Sequence, residues 1–294
     1  MRSFQARGHG ISLHVTEWEA VPLPLPVSLP PLPIVLLHGF MDAGGTWDLV
    51  APALAAAGHR VLAPDHRGFG KSDRVPVGGY YHFPDYVADL DPLVSDHVEG
   101  RFVLVGHSMG GTIATLFAGA RADRVAQLVL LEGLGPPDHP FDAAPVRLRH
   151  WLDQLARQSD RPAKPMTLEA ALDKLAANHP RVPREVLRSR LPNLVRPIDG
   201  GFDWSFDPLH RTTSPMPFFA AAFREHAKKV TAPVLYVSGG KLGFRTPDEV
   251  ERLGAFANVR HEDLEGAGHM MHWTRPDDVA RLVLEAAAAC TSST

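Results

Sequence analysis

Cysteine is nearly absent from this chain of 294 residues: Cys290, near the C-terminal end, carries its one thiol. A single thiol closes no intramolecular disulfide and supplies no cysteine-based zinc site, and such usage fits a reducing compartment. Excess charge is scarce as well. The balance is −3, from 30 basic and 33 acidic residues, and no Lys/Arg run provides the electrostatic footprint that phosphate-backbone binding requires. Nucleic acid is therefore not an expected partner. No unbroken apolar run approaches the roughly 18 residues of a membrane helix, and the opening MRSFQARGHGISLHVTEWEA has no apolar h-region. The expectation is a cytoplasmic protein without a membrane span, a monomer or homodimer, built as one large domain or as a core with a smaller module.

Short apolar runs rich in β-branched residues recur at Ile34–Leu37, Val61–Ala63, Phe102–Val105, Leu128–Leu131 and Val234–Val237, with helical patterns between them. Continuously apolar strands alternating with helices predict an α/β fold, a mostly parallel, doubly wound sheet buried on both faces. Helices are expected at Thr46–Ala57, Pro84–Val98, Met109–Ala120 and Pro276–Cys290, and the alternation of Ile11–Val15 predicts an antiparallel hairpin at one sheet edge. Two stretches break the rhythm. Val21–Pro33 is dense in proline, which forces an extended backbone, best read as a stiff connector. From Pro136 to Lys229 the strands stop, prolines and helical patterns take over, and 15 basic residues face 11 acidic ones. A block of that kind between two strands of one sheet predicts a helical cap after the sixth strand. The expected division is core 1–135, cap 136–229, core 230–294.

The chemistry concentrates in Gly106-His107-Ser108-Met109-Gly110, a G-x-S-x-G pattern directly after a predicted strand and directly before a predicted helix. A serine on so sharp a turn is held strained with its hydroxyl above the sheet, and the helix N-terminus favours negative charge there. The Met109 amide then becomes a donor to a developing oxyanion. His38-Gly39-Phe40-Met41, at the end of another strand, offers the Phe40 amide as a second donor. Gly266-Ala267-Gly268-His269 follows the predicted strand Val259–Leu264 and supplies a histidine on a glycine-flanked loop. His269 also falls after Ser108 in the order Ser, acid, His expected for this topology.

With these motifs, together with Asp65-His66-Arg67-Gly68-Phe69-Gly70-Lys71-Ser72 and GAGHMMHW at 266–273, the chain resembles the α/β-hydrolase fold superfamily of serine hydrolases over nearly its whole length. In that family the D-x-R-G-x-G-x-S segment is a structural loop. The resemblance also implies a triad acid in the loop after the strand PVLYVSGG. Here that loop reads Gly239-Gly240-Lys241-Leu242-Gly243, and Leu242 stands where the carboxylate belongs. Leucine orients no imidazole. Glu132, at the C-terminal end of the strand Leu128–Leu131, is the best substitute: a carboxylate beside so apolar a strand needs a partner, and some family members take their acid from this earlier strand. Asp248 is the second choice, with a helix N-terminal role as its plainer reading. Asp263 and Glu265 are too close to His269 in sequence to orient it well.

The expected reaction is acyl transfer from a carboxylic ester to water, with Ser108 as nucleophile, His269 as base and Glu132 as its orienter. No cofactor and no metal is expected. Gly68-Phe69-Gly70-Lys71-Ser72 lacks the first glycine of a phosphate loop, since Asp65 holds that place, and His269 and His272 lack the H-E-x-x-H arrangement. His38, Met41, His107, Trp204, Phe218 and His272 are the expected contacts to a small-molecule substrate. Trp151, Phe206, Phe219 and Phe223 could join an apolar pocket but read equally well as the core of the cap. Carbon-carbon bond or lactone hydrolysis, and a small-molecule receptor with vestigial hydrolysis, stay open at this point. Serine at 108 argues against epoxide or haloalkane chemistry, which in this superfamily uses an aspartate nucleophile.

Overall fold

The computed structural model describes residues 1–23, 31–158 and 164–291. Most of the proline-rich Val21–Pro33 stretch lies outside them. Among the described residues, ten strands and ten α-helices follow in chain order: β1 (Arg2–Arg7), β2 (Ser12–Trp18), β3 (Ile34–Leu37), α1 (Ala51–Ala56), β4 (Val61–Pro64), α2 (Phe83–His97), β5 (Phe102–His107), α3 (Met109–Ala120) and β6 (Val125–Leu131). Then come α4 (Ala143–Gln158), α5 (Leu168–Asn178), α6 (Arg184–Leu194), β7 (Val195–Ile198), β8 (Gly201–Trp204) and α7 (Ala220–Ala227). The chain closes with β9 (Val234–Ser238), α8 (Glu249–Leu253), β10 (Val259–Asp263), α9 (Met271–Thr274) and α10 (Pro276–Thr291).

Eight strands form one sheet in the order β1-β2-β4-β3-β5-β6-β9-β10. The β1–β2 hairpin is antiparallel and joins β4 antiparallel, while β4, β3, β5, β6, β9 and β10 run parallel. Strand residues alternate between two cores. Val35, Leu37, Leu104, Leu128 and Leu130 pack on one face with residues of α2, α3 and α7. Ile34, Leu36, Val103, Val105 and Val129 pack on the other with residues of α1 and α10. This is the fold class expected from the apolar runs: each central strand is shielded from water on both sides, at roughly 1.5–3 kcal/mol for each fully buried aliphatic side chain.

Two local expectations need correction. The single helix expected at Thr46–Ala57 is instead a 3-10 turn over Gly44–Leu49 followed by α1. Pro52 sits at the start of α1, where its missing N–H is tolerated, and so marks a new helix start. The segment between β6 and β9 holds α4–α7 but also the two-stranded ribbon β7–β8, turning at Gly200 and Gly201 with positive φ. Four residues per strand were too few to show against the helical pattern. The apolar residues of α5 and α6 make a third cluster that reaches Ala43, Met270 and Trp273 of the sheet domain.

A layer of buried histidines lies near the C-terminal ends of the central strands. The rings of His38 and His66 are 4.2 Å apart, those of His107 and His272 4.4 Å, and His210 stacks on Phe69 at 4.0 Å. Burial lowers the pKa of all five, to about 4 for His66 and His210 and well below the ordinary value for His38, His107 and His272. In the unfolded chain they take up protons near their ordinary pKa, so between that value and the folded ones the unfolded state binds more protons, and stability is lost as pH falls. Asp42, raised to about 7 by burial, has the opposite slope but is one group against five. The urea midpoint is therefore expected to drop from pH 7 to pH 5, as the unfolding free energy falls by up to about 1.4 kcal/mol per pH unit for each histidine. A flat midpoint over that range would show that the histidines do not control acid stability.

Candidate functional site

Strand β5 delivers Gly106 and His107 to the sheet edge, and the chain turns into α3 through Ser108, whose φ of 51° and ψ of −117° lie outside the usual regions for a residue with a side chain. Close packing forces this turn. A Cβ on Gly106 would stand 2.4 Å from the carbonyl oxygen of Gly110, and one on Gly110 2.3 Å from that of Leu37. Only glycine fits at either place. The α3 N-terminus begins immediately after Ser108, and the amides of Gly111 and Thr112 turn back onto the Ser108 carbonyl.

The Ser108 hydroxyl donates to Nε2 of His269 at 3.1 Å, and Nδ1–H of His269 donates to Oε2 of Glu132 at 2.7 Å. His269 comes from the loop between β10 and α9, Ser108 from the β5–α3 turn, and Glu132 from the end of β6, so three crossovers of the parallel sheet meet at one point. The Glu132 side chain is fully buried. Its carboxylate is satisfied by the loop that carries no acid: the Gly239 amide donates to Oε1 at 2.5 Å and the Phe244 amide to Oε2 at 2.7 Å. Glu132 itself adopts a φ of 50°, a second strained residue, held because its amide donates to the Val237 carbonyl and its side chain is fixed by three donors. Loop 239–244 thus serves a carboxylate that arrives from the neighbouring strand.

The other carboxylates are engaged elsewhere. Oδ2 of Asp248 pairs at 2.8 Å with Nε of Arg252, whose fully buried guanidinium also donates to the Leu134 and Pro136 carbonyls at 2.8 and 2.7 Å. Asp248 stands at the N-cap of α8, in keeping with its plainer reading, and with no side-chain cap hydrogen bond its carboxylate neutralises the buried arginine. Asp263 accepts from Ser238, Arg245 and His261.

Phe40, expected as an oxyanion donor, and Met41, an expected substrate contact, lie on the turn after β3, Phe40 being exposed and Met41 half-buried with a φ of 58°. Trp204 and Phe218 are half-buried, Trp204 stacked on Phe206 and Phe218 between Phe83 and the Arg252 guanidinium. Phe223 belongs to the main core. The expectation that His38, His107 and His272 touch substrate is not met. All three are buried, because each ring is drawn into the protein's own hydrogen bonds. Nδ1–H of His38 donates to the Gly39 carbonyl, that of His107 Nε2 to the His269 carbonyl, and that of His272 Nε2 to Oδ2 of Asp42. Asp42 escaped the sequence reading; its one trace there is an acid in an otherwise apolar, glycine-rich loop four residues before Thr46, whose hydroxyl it accepts. Among the described residues, Asp42, His107 and His272 bring possible metal-ligand atoms within 4.8 Å of one another. Zinc holds tetrahedral nitrogens about 3.4 Å apart, and Nε2 of both rings and both oxygens of Asp42 are already hydrogen-bonded within the protein, so the cluster reads as a structural network.

A family model described as alpha/beta hydrolase fold matches residues 33–276. The sn-1-specific diacylglycerol lipase ABHD11 of Mus musculus is 30% identical over 280 residues, covering 87% of this chain and 83% of that protein. Epoxide hydrolase A of Mycobacterium tuberculosis is 26% identical over 300 residues, covering 87% and 90%. A serine hydrolase-like protein of Danio rerio is 32% identical over 179 residues, 60% of this chain, which spans 55% of that protein's length. The solved thioesterase domain from the curacin biosynthetic pathway superposes with a TM-score of 0.79 at 27% identity, over 97% of this chain and 99% of that one.

The geometry ranks the carboxylates. Glutamine at 132 offers one oxygen where three donors converge, and loses the charge that stabilises a protonated imidazole. Glu132→Gln is expected to slow covalent labelling of Ser108 by a fluorophosphonate about 10³-fold or more, while Asp248→Asn leaves labelling within a few-fold and lowers the melting temperature; the reverse ranking would falsify the assignment. A Cβ at Gly243 would lie 1.8 Å from Oε1 of Glu132, although its φ of −77° suits any residue. Gly243→Ala should therefore cut the labelling rate at least tenfold by displacing the carboxylate alone, and an unchanged rate would show that Glu132 is not held as described.

Proposed function

The chain belongs to the α/β-hydrolase fold family, and from that premise we propose that it is a serine hydrolase cleaving a carboxylic ester of a small or medium-sized apolar substrate through an acyl-enzyme on Ser108. The observation that carries this reading is the unbroken line from Ser108 Oγ through His269 to Glu132, at 3.1 and 2.7 Å. His269 Nε2 takes the hydroxyl proton as Ser108 Oγ attacks the ester carbonyl. Glu132 stabilises the imidazolium that forms. The amides of Met109, at the N-terminus of α3, and Phe40 receive the oxyanion. The Gly39–Phe40 turn abuts the nucleophile closely enough for this: a Cβ on Gly39 would be 3.2 Å from Cβ of Ser108. Collapse of the tetrahedral intermediate expels the alcohol, which takes the proton from His269. Water, deprotonated by His269, then attacks the acyl-enzyme, releasing the acid and restoring Ser108.

Lipase and thioesterase relatives support acyl transfer. The epoxide hydrolase relatives share the fold, but a serine at 108 gives no carboxylate to open an epoxide as an alkyl ester. The receptor alternative drew its force from Leu242 in the acid's usual loop, and a carboxylate that reaches His269 from β6 removes that motive. Phe40, Met41, Trp204 and Phe218 are the residues proposed to meet the substrate, with segment 136–229 acting as its cap.

Hydrolysis of p-nitrophenyl esters from acetate to long acyl chains, compared between the native protein and Ser108→Ala, tests the reading. A rate that peaks at one chain length and falls at least about 10³-fold in Ser108→Ala is expected. Turnover that survives in Ser108→Ala would reject the acyl-enzyme on Ser108, and no rate on any ester would reject ester hydrolysis in favour of a carbon-carbon or lactone bond as the target.

A further inference from the structure

His107 directly precedes Ser108 and is buried, and it meets the His269 loop, His272 and the turn after β3. Its Nε2–H donates to the main-chain carbonyl of His269 at 2.7 Å. Its ring lies 4.8 Å from that of His269 and 4.4 Å from that of His272, and its Nδ1 edge faces Gly39, where a Cβ would come within 2.8 Å. Behind it, Nε2–H of His272 donates to Oδ2 of Asp42 at 3.1 Å, and Oδ1 of Asp42 accepts from the Ala43 amide at 2.8 Å and the Thr46 hydroxyl at 2.7 Å. Asp42, His107 and His272 are all buried. The network thus joins the turn after β3, the nucleophile turn after β5 and the loop that carries His269.

We propose that His107 is a positioning residue: by donating to the carbonyl of His269 from the residue next to Ser108, it fixes the catalytic histidine's main chain to the nucleophile's own turn, with the Asp42–His272 pair holding its ring in place. Glu132 secures the far end of the imidazole and Ser108 the near end, but neither constrains the backbone from which the ring hangs. The loop is tied on either side of His269, by the Gly268 amide to the Gly239 carbonyl at 3.1 Å and by the Thr274 hydroxyl to the Ala267 carbonyl at 2.8 Å, and Nε2–H of His107 is the donor that holds the carbonyl of His269 itself. A displacement of about 1 Å at a reacting group costs on the order of a hundredfold in rate, which sets the scale for its loss.

The proposal rests on the Ser108–His269 reading, and two substitutions of equal polarity separate the two. Glutamine places a side-chain N–H close to where Nε2–H of His107 lies; asparagine, one methylene shorter, stops short of the His269 carbonyl. Steady-state turnover of p-nitrophenyl butyrate and fluorophosphonate labelling are measured for the native protein, His107→Gln, His107→Asn, His107→Leu and Ser108→Ala. Expected is a kcat within about threefold of native for His107→Gln, and a 10- to 100-fold fall in kcat and labelling rate for His107→Asn with KM changed less than twofold. His107→Leu, which has no donor at all, should fall likewise, so either of these two variants that melts above the assay temperature suffices. Rates equal to native in the folded asparagine and leucine variants overturn the proposal. Equal losses in the glutamine and asparagine variants, or a loss carried by KM, overturn it too, because they mark a role in folding or binding. Activity undiminished in Ser108→Ala would instead reject the reading beneath it.

Discussion

A carboxylate buried at the end of an apolar strand is the constraint around which this site is arranged. Left without partners, Glu132 would be costly enough to unfold the strand end that carries it. Three donors remove that cost: the amides of Gly239 and Phe244 and the Nδ1–H of His269. Each imposes a condition on another part of the chain. Loop 239–244 must curl so that two of its amides converge, and the place opposite Oε1 must carry no side chain, which is why Gly243 is glycine. The loop after β10 must bring His269 across β9 to reach it.

Strain and rigidity are distributed accordingly. Ser108 and Glu132 both occupy positive φ, each at the end of a strand buried on both faces. Such conformations cost about 1–3 kcal/mol each and persist only where the surroundings over-determine them. Here the two strands are adjacent in the sheet, and the Ser108 amide donates to the carbonyl of Leu131, one residue before Glu132. Nucleophile and acid are thus tied through the backbone before either side chain is considered. The histidine is the member that comes from a loop and not from a strand end, and the buried Asp42–His272–His107 network lies directly against that loop. Keeping those rings neutral and dry favours rigidity near neutral pH, and the same dryness makes the layer sensitive to acid.

Much of this could be read without coordinates. The parallel strands, the edge hairpin, α3 and the G-x-S-x-G turn each rest on signals local in sequence: apolar runs, alternation, glycines required by close approach. Ser108 and His269 follow from such signals, and Glu132 from an incongruity, an acid closing an apolar strand while Leu242 fills the usual place. The misread parts were those where local signals were weak or conflicting. A proline inside a helical pattern split the first helix in two, and a ribbon of four-residue strands was too short to register. Three histidines assigned to substrate turned inward, since exposure is decided by packing and not by residue type.

Sequence by itself determined the sheet, the strained serine turn and the choice of Ser108 and His269 as site candidates, because these depend on hydrophobic period and on steric limits within a few residues. Tertiary structure decided between Glu132, the carboxylate the sequence favoured, and Asp248, and it alone decided which partners His107, His272 and Asp42 meet. Those outcomes depend on hydrogen bonds between residues 137, 162 and 230 positions apart. No local pattern encodes contacts of that separation; they exist only once the crossovers of a parallel sheet have carried three distant loops to the same edge.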